Sequence, residues 1–244
     1  MQVDEYNKMY VLEKTHWWFS AKRNLIKQLI AHFYPNPPNL KVLDLGCGTG
    51  AMLEELEAFG SPFGIDDSLN ALPALRAKGI KMIALMQAEQ LGFKDKTFDI
   101  IIALDVLEHI CDDRSALNEI KRVLKDQGLC IITVPAYQFL WSYHDEALRH
   151  LRRYSKRELQ KKVLSLKMDI AFLSYFYFLT FPLFILFRLV KSGIRSTKQP
   201  LKSDTFQMPE PINKLLTHMM NFELLCLQKI RFPCGSSLVC VARK

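Results

Sequence analysis

The sequence predicts an α/β protein with parallel strands and helices on both faces of the sheet. Residues 42–45 hold three apolar side chains in a run that suits a buried strand and is too short for a helix. Glycines at alternate positions over 46–50 follow, and residues 51–59 then show helical spacing. Residues 100–104 are apolar throughout, as expected for a parallel strand covered on both faces. A strand, a glycine turn and a helix in this order are typical of a nucleotide-binding corner.

The other elements follow in chain order. Residues 4–33 predict one or two helices, and the proline-rich stretch 35–39 ends them before the first strand. Further strands are predicted at 81–86, 129–134 and 238–242. Asp112 or Asp113 is expected to cap a helix with an apolar stripe, and Ser155 with Glu158 forms a capping box that starts another.

Three motifs resemble those of the class I methyltransferases that use S-adenosylmethionine. They are Val-Leu-Asp-Leu-Gly-Cys-Gly-Thr-Gly at 42–50, Gly-Ile-Asp at 64–66 and Asp-Val-Leu-Glu-His-Ile at 105–110. The resemblance implies a Rossmann-like, seven-stranded, mostly parallel sheet with an N-terminal helical cap and a helical insertion before the last strand. It assigns residues 1–39 to the cap, 40–180 to the core, 181–232 to the insertion and 233–244 to the closing strand.

The resemblance also implies S-adenosylmethionine as cofactor and S-adenosylhomocysteine as product. Asp66 would accept hydrogen bonds from two ribose hydroxyls, and Asp67 or Ser68 would cap the next helix. Gln87 stands where the family often has an aspartate that reaches the adenine amino group. The predicted cofactor-binding residues are Asp44, Gly46, Cys47, Gly48, Gly50, Asp66, Asp67, Gln87, Ala88, Glu89, Asp105 and His109.

The acceptor side is predicted from two less common patterns. His-Trp-Trp-Phe at 16–19 and His-Asp-x4-His-x-Arg-Arg-Tyr at 144–154 resemble a bacterial methyltransferase subgroup often linked to polysaccharide and glycolipid pathways. His144 or His150 is the candidate base, because a histidine can be neutral near pH 7. The predicted substrate-binding residues are His16, Trp17, Trp18, Asp145, Arg152, Arg153 and Tyr154. The two arginines form either an anion clamp or a solvated basic turn. No bound metal is expected.

Charge is distributed unevenly along the chain. The formal net charge is +8, yet residues 1–150 carry 16 basic and 20 acidic side chains, while residues 151–202 carry 12 and 2. This basic segment lies beside an uncharged run at 170–187, which favours an anionic membrane surface or phosphate over nucleic acid. Ser174, Thr180 and Pro182 interrupt that run, so a strand followed by a helix is predicted. The helix either lies at a membrane interface or packs against residues 214–229. At an interface it would expose Phe184, Ile185, Phe187 and Leu189, and anionic headgroups would meet the basic residues Arg188, Lys191, Arg195, Lys198 and Lys202.

The predicted function is methyl transfer to an acceptor, a saccharide or a lipid-linked intermediate. The alternatives are a quinone or other small-molecule methyltransferase, and a non-catalytic cofactor-binding module of the same fold. Six cysteines without a Cys-x-x-Cys pair and a charged N-terminus favour a cytoplasmic protein, peripheral on the inner face of the membrane. The patterns leave the oligomeric state open.

Overall fold

A single sheet of seven strands forms the centre of the protein in a computed structural model, which describes residues 3–37, 39–193 and 206–244. The strands are β1 (Leu40–Leu45), β2 (Gly60–Asp66), β3 (Ile83–Leu85), β4 (Phe98–Leu104), β5 (Leu124–Pro135), β6 (Asp169–Phe176) and β7 (Ser237–Arg243). Their order is β3-β2-β1-β4-β5-β7-β6, and β7 alone of these runs antiparallel to its neighbours. The predicted fold class is confirmed.

Helices fill the connections between the strands. They are α1 (Val3–Leu12), α2 (Trp17–Phe33), α3 (Ala51–Leu56), α4 (Leu72–Ala77), α5 (Asp113–Val123), α6 (Tyr143–Leu148), α7 (Lys156–Ser165), α8 (Phe181–Gly193) and α9 (Glu210–Leu227). Their starts follow local sequence. Asp112 caps α5, Ser142 and Asp145 form a capping box on α6, and Ser155 caps α7.

The core lies on both faces of the central strands. Val42 on β1, Ile101 on β4 and Ile131 on β5 are fully buried, as are most of their neighbours along these strands. Parallel strands between two helical layers bury both faces, which explains why the sequence shows continuous apolar runs rather than alternation. The carboxyl ends of β1, β2, β4 and β5, with that of β6, therefore meet at one edge of the sheet.

The N-terminal cap and the insertion pack against each other, with α2 along α9. The Trp17 backbone N–H donates to Asn213 Oδ1 at 2.9 Å, and Asn213 Nδ2 donates to the Thr15 carbonyl at 2.9 Å. Glu223 on α9 is fully buried and accepts hydrogen bonds from the backbone N–H groups of Phe178 and Leu179, each at 2.9 Å. These bonds fix the insertion to the end of β6.

Helix α8 leaves part of its apolar surface uncovered. None of the described helices is long and apolar enough to cross a bilayer. The exposed apolar side chains on α8 are Leu183 and Leu186, whereas the predicted Phe184, Ile185 and Phe187 are half-buried. The predicted basic residues Arg195, Lys198 and Lys202 lie outside the described residues.

Candidate functional site

The glycine turn after β1 adopts a backbone that other residues would strain. Gly46, Gly48 and Gly50 have φ angles of +76°, +53° and +82°, in the left-handed region that favours glycine. A Cβ on Gly46 would lie 2.5 Å from Cγ2 of Val106. The Gly48 N–H donates to Asp66 Oδ2 at 2.9 Å. The turn is therefore held close to the end of β2.

Asp66 ends β2 with both carboxylate oxygens directed at backbone donors. Its Oδ2 accepts from Gly48 and its Oδ1 accepts from the Ser68 N–H at 2.9 Å. Each carboxylate oxygen has about two acceptor sites, so hydroxyls of a ribose can be accepted in addition. A cavity of about 130 Å³ opens beside this carboxylate, lined also by Cys47, Leu75 and Ile83.

Asp44 is a buried carboxyl within this corner. It is 3% exposed, and its Oδ2 has no hydrogen-bond partner in the described part of the chain. Burial and the charge of Asp66 raise the pKa of Asp44 to about 7. Burial likewise raises the pKa of the neighbouring Cys47 thiol. A ligand that brings positive charge would satisfy Asp44, and S-adenosylmethionine carries an ammonium and a sulfonium. The residues present therefore fit that cofactor.

The remaining predicted cofactor residues line the ends of β2 and β3. Asp67 and Gln87 are exposed, Ala88 is buried, and Glu89 is half-buried. Gln87 lies two residues after the short strand β3, whose predicted extent of 81–86 shrinks to Ile83–Leu85. Ser68 caps the short 3-10 turn Leu69–Ala71, so that role falls to Ser68 rather than to Asp67.

Helix α1 covers the glycine turn, which the sequence patterns do not predict. A Cβ on Gly48 would lie 3.0 Å from Cε of Met9. Glu13 accepts a hydrogen bond from the Thr49 hydroxyl and forms an ion pair with Lys78 Nζ at 2.6 Å. Both Glu13 and Lys78 have nearly buried side chains. The N-terminal cap is thus fastened to the cofactor corner by polar contacts.

Asp105 marks the end of β4 with a left-handed backbone, at φ +55°. It pairs with Lys22 from α2 and accepts a hydrogen bond from the Thr133 hydroxyl at 2.8 Å. Burial alone would raise the pKa of Asp105, but the Lys22 ammonium outweighs it, so the pKa falls below its ordinary value. Lys22 is a site residue that local patterns miss, because its partner lies 83 positions away.

On the acceptor side, Asp145 organises the loop that follows β5. His150 Nδ1 lies 2.9 Å from Asp145 Oδ1, and Arg153 reaches the same carboxylate through Nε at 2.8 Å and Nη2 at 3.1 Å. Burial would raise the pKa of Asp145, yet the bond from His150 and the charge of Arg153 lower it. The ionised Asp145 therefore fixes the His150 ring, with its Nδ1 as the donor.

Glu108 and His109 come from the turn after β4 and meet His150. Glu108 Oε1 lies 4.0 Å from His150 Nε2, and the rings of His109 and His150 are 4.8 Å apart. Burial and the charge of Asp105 raise the pKa of Glu108. Burial lowers the pKa of His109 to about 4, so its ring is neutral at pH 7. The sequence patterns did not connect Glu108 with this site.

Two predicted substrate residues lie inside the protein, which corrects their assignment. Tyr154 is fully buried, and its hydroxyl contacts Asp113 Oδ2 at 2.7 Å and the Leu107 carbonyl at 3.1 Å. Arg153 is buried on Asp145 and on the Ala136 carbonyl. Arg153 is therefore not available for the predicted anion clamp. Both side chains position the loop, because their polar atoms are bonded to groups of the protein itself.

Three other residues predicted on the acceptor side are His16, which has a structural role, and Arg152 and His144, which are half-buried. His16 caps α2 by accepting from the Trp18 N–H, and burial lowers its pKa. Arg152 is half-buried and donates to the Cys111 carbonyl at 2.9 Å. His144 is also half-buried, with its ring centre 6.4 Å from that of His150.

The paired tryptophans continue the site toward β6. Trp18 stacks on Tyr177 with ring centres 3.8 Å apart, and Trp17 meets the same ring edge-on. Lys22 Nζ lies 5.9 Å from the centre of the Trp18 ring, which links this aromatic group to Asp105. Trp17 is buried with no hydrogen-bond partner for its Nε1 in the described chain, while Trp18 is half-buried.

Comparisons with known proteins agree with this geometry. Residues 43–132 match a family model described as a methyltransferase domain. Over these residues the chain is similar to a methyltransferase domain. A solved structure of the same fold, phosphoethanolamine N-methyltransferase 2 of Haemonchus contortus, is a complex with S-adenosyl-L-methionine; it aligns at 18% identity with a TM-score of 0.59 over 91% of this chain and 52% of that one. The matched residues run from β1 to the middle of β5, and so include the glycine turn, Asp66 and the Asp105–Ile110 segment.

Similar proteins cover the same region. An uncharacterised protein of Methanocaldococcus jannaschii is 39% identical over 106 residues, which are 43% of this chain and 45% of that protein. The ubiquinone biosynthesis O-methyltransferase of Bartonella tribocorum is 30% identical over 100 residues, 38% of this chain and 40% of that enzyme. The match thus spans less than half the length of either relative.

Solved structures extend the fold comparison to the whole chain. A chain of the complex that contains the Haloferax volcanii Trm112 methyltransferase activator aligns with a TM-score of 0.61. The alignment covers 99% of this chain and 93% of that one, at 19% identity. The similarity supports the fold, including the cap and the insertion that the family model does not cover.

Proposed function

We propose that the protein transfers a methyl group from S-adenosylmethionine to an acceptor bound beside His150. The observation that carries this proposal is the meeting of two sets of residues at one edge of the sheet. The glycine turn with Asp44 and Asp66 lies at the ends of β1 and β2, and the Asp145–His150 pair lies beyond β5. The sulfonium is already an activated electrophile, so the protein mainly aligns the nucleophile with the methyl carbon.

We assign the catalytic contact with the acceptor to His150. Its Nδ1 is bonded to Asp145, so its Nε2 is the nitrogen directed away from that carboxylate. It can act on an acceptor hydroxyl either by taking the proton or by holding a cation that binds the oxygen. His144, the second predicted catalytic residue, stays a proposal of the same kind, near the start of α6.

A transfer assay with matched variants tests this assignment. Methyl-labelled S-adenosylmethionine is incubated with lipid extracts, lipid-linked saccharides and hydroxylated quinone precursors, and label in each fraction is counted. His150→Gln is expected to slow transfer by about 10²-fold or more with the cofactor affinity unchanged. His218→Gln, an exposed histidine on α9, serves as the control. A His150→Gln rate within a few fold of the parent rate would contradict the assignment.

The acceptor is proposed to be amphiphilic, a saccharide or lipid intermediate held at a membrane surface. Four large apolar side chains on α9, namely Ile212, Leu215, Phe222 and Leu225, are 47% to 61% exposed. Their spacing of three, seven and three places them along one side of the helix. The segment 151–202, which includes α8, carries a net charge of +10. An apolar stripe beside basic residues is the pattern of proteins that bind anionic membranes.

Flotation with vesicles tests the membrane part separately. Vesicles with anionic lipid are expected to carry the protein upward at low salt and to release it at high salt. Leu215→Glu together with Leu225→Glu should abolish flotation. Leu164→Glu, at an exposed leucine on α7, should not. If the α9 double variant floats as well as Leu164→Glu does, or if the parent protein does not float, this support for an acceptor held at a membrane is lost.

Methylation of a quinone precursor or another small molecule is the second candidate. It is favoured by the 30% sequence identity, over 100 residues, between this chain and an enzyme named ubiquinone biosynthesis O-methyltransferase. The same labelling assay separates the two candidates, because label would then enter the quinone fraction only. A chain that binds the cofactor but labels no fraction would instead favour a non-catalytic module.

A further inference from the structure

Three side chains that can bind a metal converge beside the acceptor loop. They are Glu108, His109 and His150, and one donor atom from each lies within 4.8 Å of the other two. Glu108 is fully buried, and neither of its carboxylate oxygens has a hydrogen-bond partner in the part of the chain that the structure describes. An unpaired buried carboxylate is costly for the folded protein. A cation is the ligand that would offset that cost.

The His150 ring is held from outside the cluster. Its Nδ1 is hydrogen-bonded to Asp145, which leaves Nε2 as the nitrogen nearest Glu108. Histidines that bind metals almost always donate their other ring N–H to a carboxylate or a backbone carbonyl, which fixes the ring orientation. His150 meets that condition, and the His109 ring lies edge-on to it with ring centres 4.8 Å apart.

Two carboxylates beside the cluster each pair with a lysine or an arginine, whereas Glu108 pairs with neither in the described part of the chain. Asp105 is paired with Lys22, and Asp145 is paired with Arg153 at 2.8 Å. His150 is the closest basic side chain to Glu108 among the ion pairs of the described residues, at 4.0 Å. A divalent ion between the carboxylate and the two rings would complete this local charge balance.

The geometry requires only a small contraction. Ligand atoms about 2.1 Å from a tetrahedral ion lie roughly 3.4 Å from one another. The donor atoms of the three side chains are up to 4.8 Å apart, and rotation of the side chains would bring them to that separation. The sequence alone disfavours a metal, because no further well-spaced ligand accompanies His144, Asp145 and His150. The fold supplies Glu108 and His109 from about 40 residues earlier in the chain.

We propose that Glu108, His109 and His150 bind one divalent transition-metal cation, of the class of Zn²⁺ or Co²⁺, in the acceptor pocket. Two imidazoles and one carboxylate form a ligand set that leaves coordination positions open. An acceptor oxygen can occupy such a position, and this part of the proposal rests on the proposed function. Binding of the ion itself does not depend on methyl transfer.

The test uses the full chain, stripped of metal with a chelator and then desalted. Zn²⁺ retained after a second desalting is measured by elemental analysis, and Co²⁺ is followed by its visible absorption. One ion per chain is expected for the parent protein and for His218→Gln. Glu108→Gln and His150→Gln are expected to retain none. Circular dichroism confirms that each variant is folded.

A second measurement separates metal binding from a structural role. Glu108→Gln keeps the size and shape of the buried side chain, so it should fold without metal as the parent protein does. Zn²⁺ should raise the melting temperature of the parent protein and leave that of Glu108→Gln unchanged.

Equal ion retention in the parent protein and both variants, or retention by none, would overturn the proposal. Cofactor binding is measured by calorimetry on the metal-free protein. If the parent protein binds the cofactor but retains no metal, the metal site is rejected and the proposed function is not affected.

Discussion

Replacing Asp44 by asparagine should make the metal-free and cofactor-free protein more stable, and increasingly so as pH rises. Burial and Asp66 raise the pKa of Asp44 to about 7, whereas an unfolded chain keeps it near its ordinary value of about 4. Between these values the folded protein holds a proton that the unfolded chain has released. The stability that this proton contributes is complete below pH 4 and is lost as pH rises through 7.

The magnitude follows from the difference in pKa. About three units at about 1.4 kcal/mol each give a cost of about 4 kcal/mol at pH 8, most of which develops between pH 5 and 8. The introduced amide cannot ionise, so the free energy of unfolding of Asp44→Asn should exceed that of the parent protein by a margin that grows by about 3 kcal/mol over this range. For a chain of this size that is roughly 6–12 °C in melting temperature.

Urea unfolding at pH 5, 6, 7 and 8 measures this margin directly. Asp169→Asn, an exposed carboxyl at the start of β6, is the control and should show a margin near zero throughout. Titrating groups far from Asp44 affect all three proteins equally and cancel in the differences, whereas the interaction of Asp44 with Asp66 is part of the margin that is measured. A margin for Asp44→Asn that stays constant from pH 5 to 8, or that is negative at pH 8, would refute the reasoning.

Three further substitutions have defined expectations. Gly46→Ala should destabilise the fold more than Gly79→Ala by about 1–3 kcal/mol. Both glycines have a left-handed φ, but only a Cβ at Gly46 would meet a neighbouring side chain. Equal losses of unfolding free energy in urea would contradict this. Tyr154→Phe should cost about 1–2 kcal/mol through the lost bond to Asp113, with exposed Tyr10→Phe near zero. Glu223→Ala leaves two backbone N–H groups at the end of β6 unpaired and should cost about 2–4 kcal/mol, against little for Glu210→Ala on the exposed start of α9; a small loss at Glu223 would show that water replaces it.

The cofactor corner was predictable because its residues are close in sequence. The strand β1, the glycine turn and the whole of α3 span 17 residues, and the turn's backbone conformation selects glycine directly. The position of Asp66 at the end of β2 was predicted from the resemblance of Gly-Ile-Asp at 64–66 to a family motif. The strand ends were less predictable, since β5 begins five residues before the expected 129 and β3 is only three residues long.

The contacts that join distant segments could not be read from local patterns. Lys22 meets Asp105 and Glu13 meets Lys78 across 83 and 65 positions, and each pair depends on how the cap lies over the sheet. Arg153 and Tyr154 illustrate the opposite error. Their position next to two histidines suggested a ligand contact. Instead, Arg153 is bonded to the buried Asp145 and Tyr154 to the buried Asp113. The motif therefore holds the loop in place around His150.

Calorimetric titration of the full chain with S-adenosylmethionine tests the central claim most directly. We predict one binding site per chain, a loss of affinity of at least tenfold in Asp66→Ala, and unchanged affinity in Asp169→Asn. The removal of a carboxylate that binds two hydroxyls is the physical reason for the loss. Absence of binding in the folded parent protein, or equal affinity in Asp66→Ala, would contradict the assignment of this corner to the cofactor.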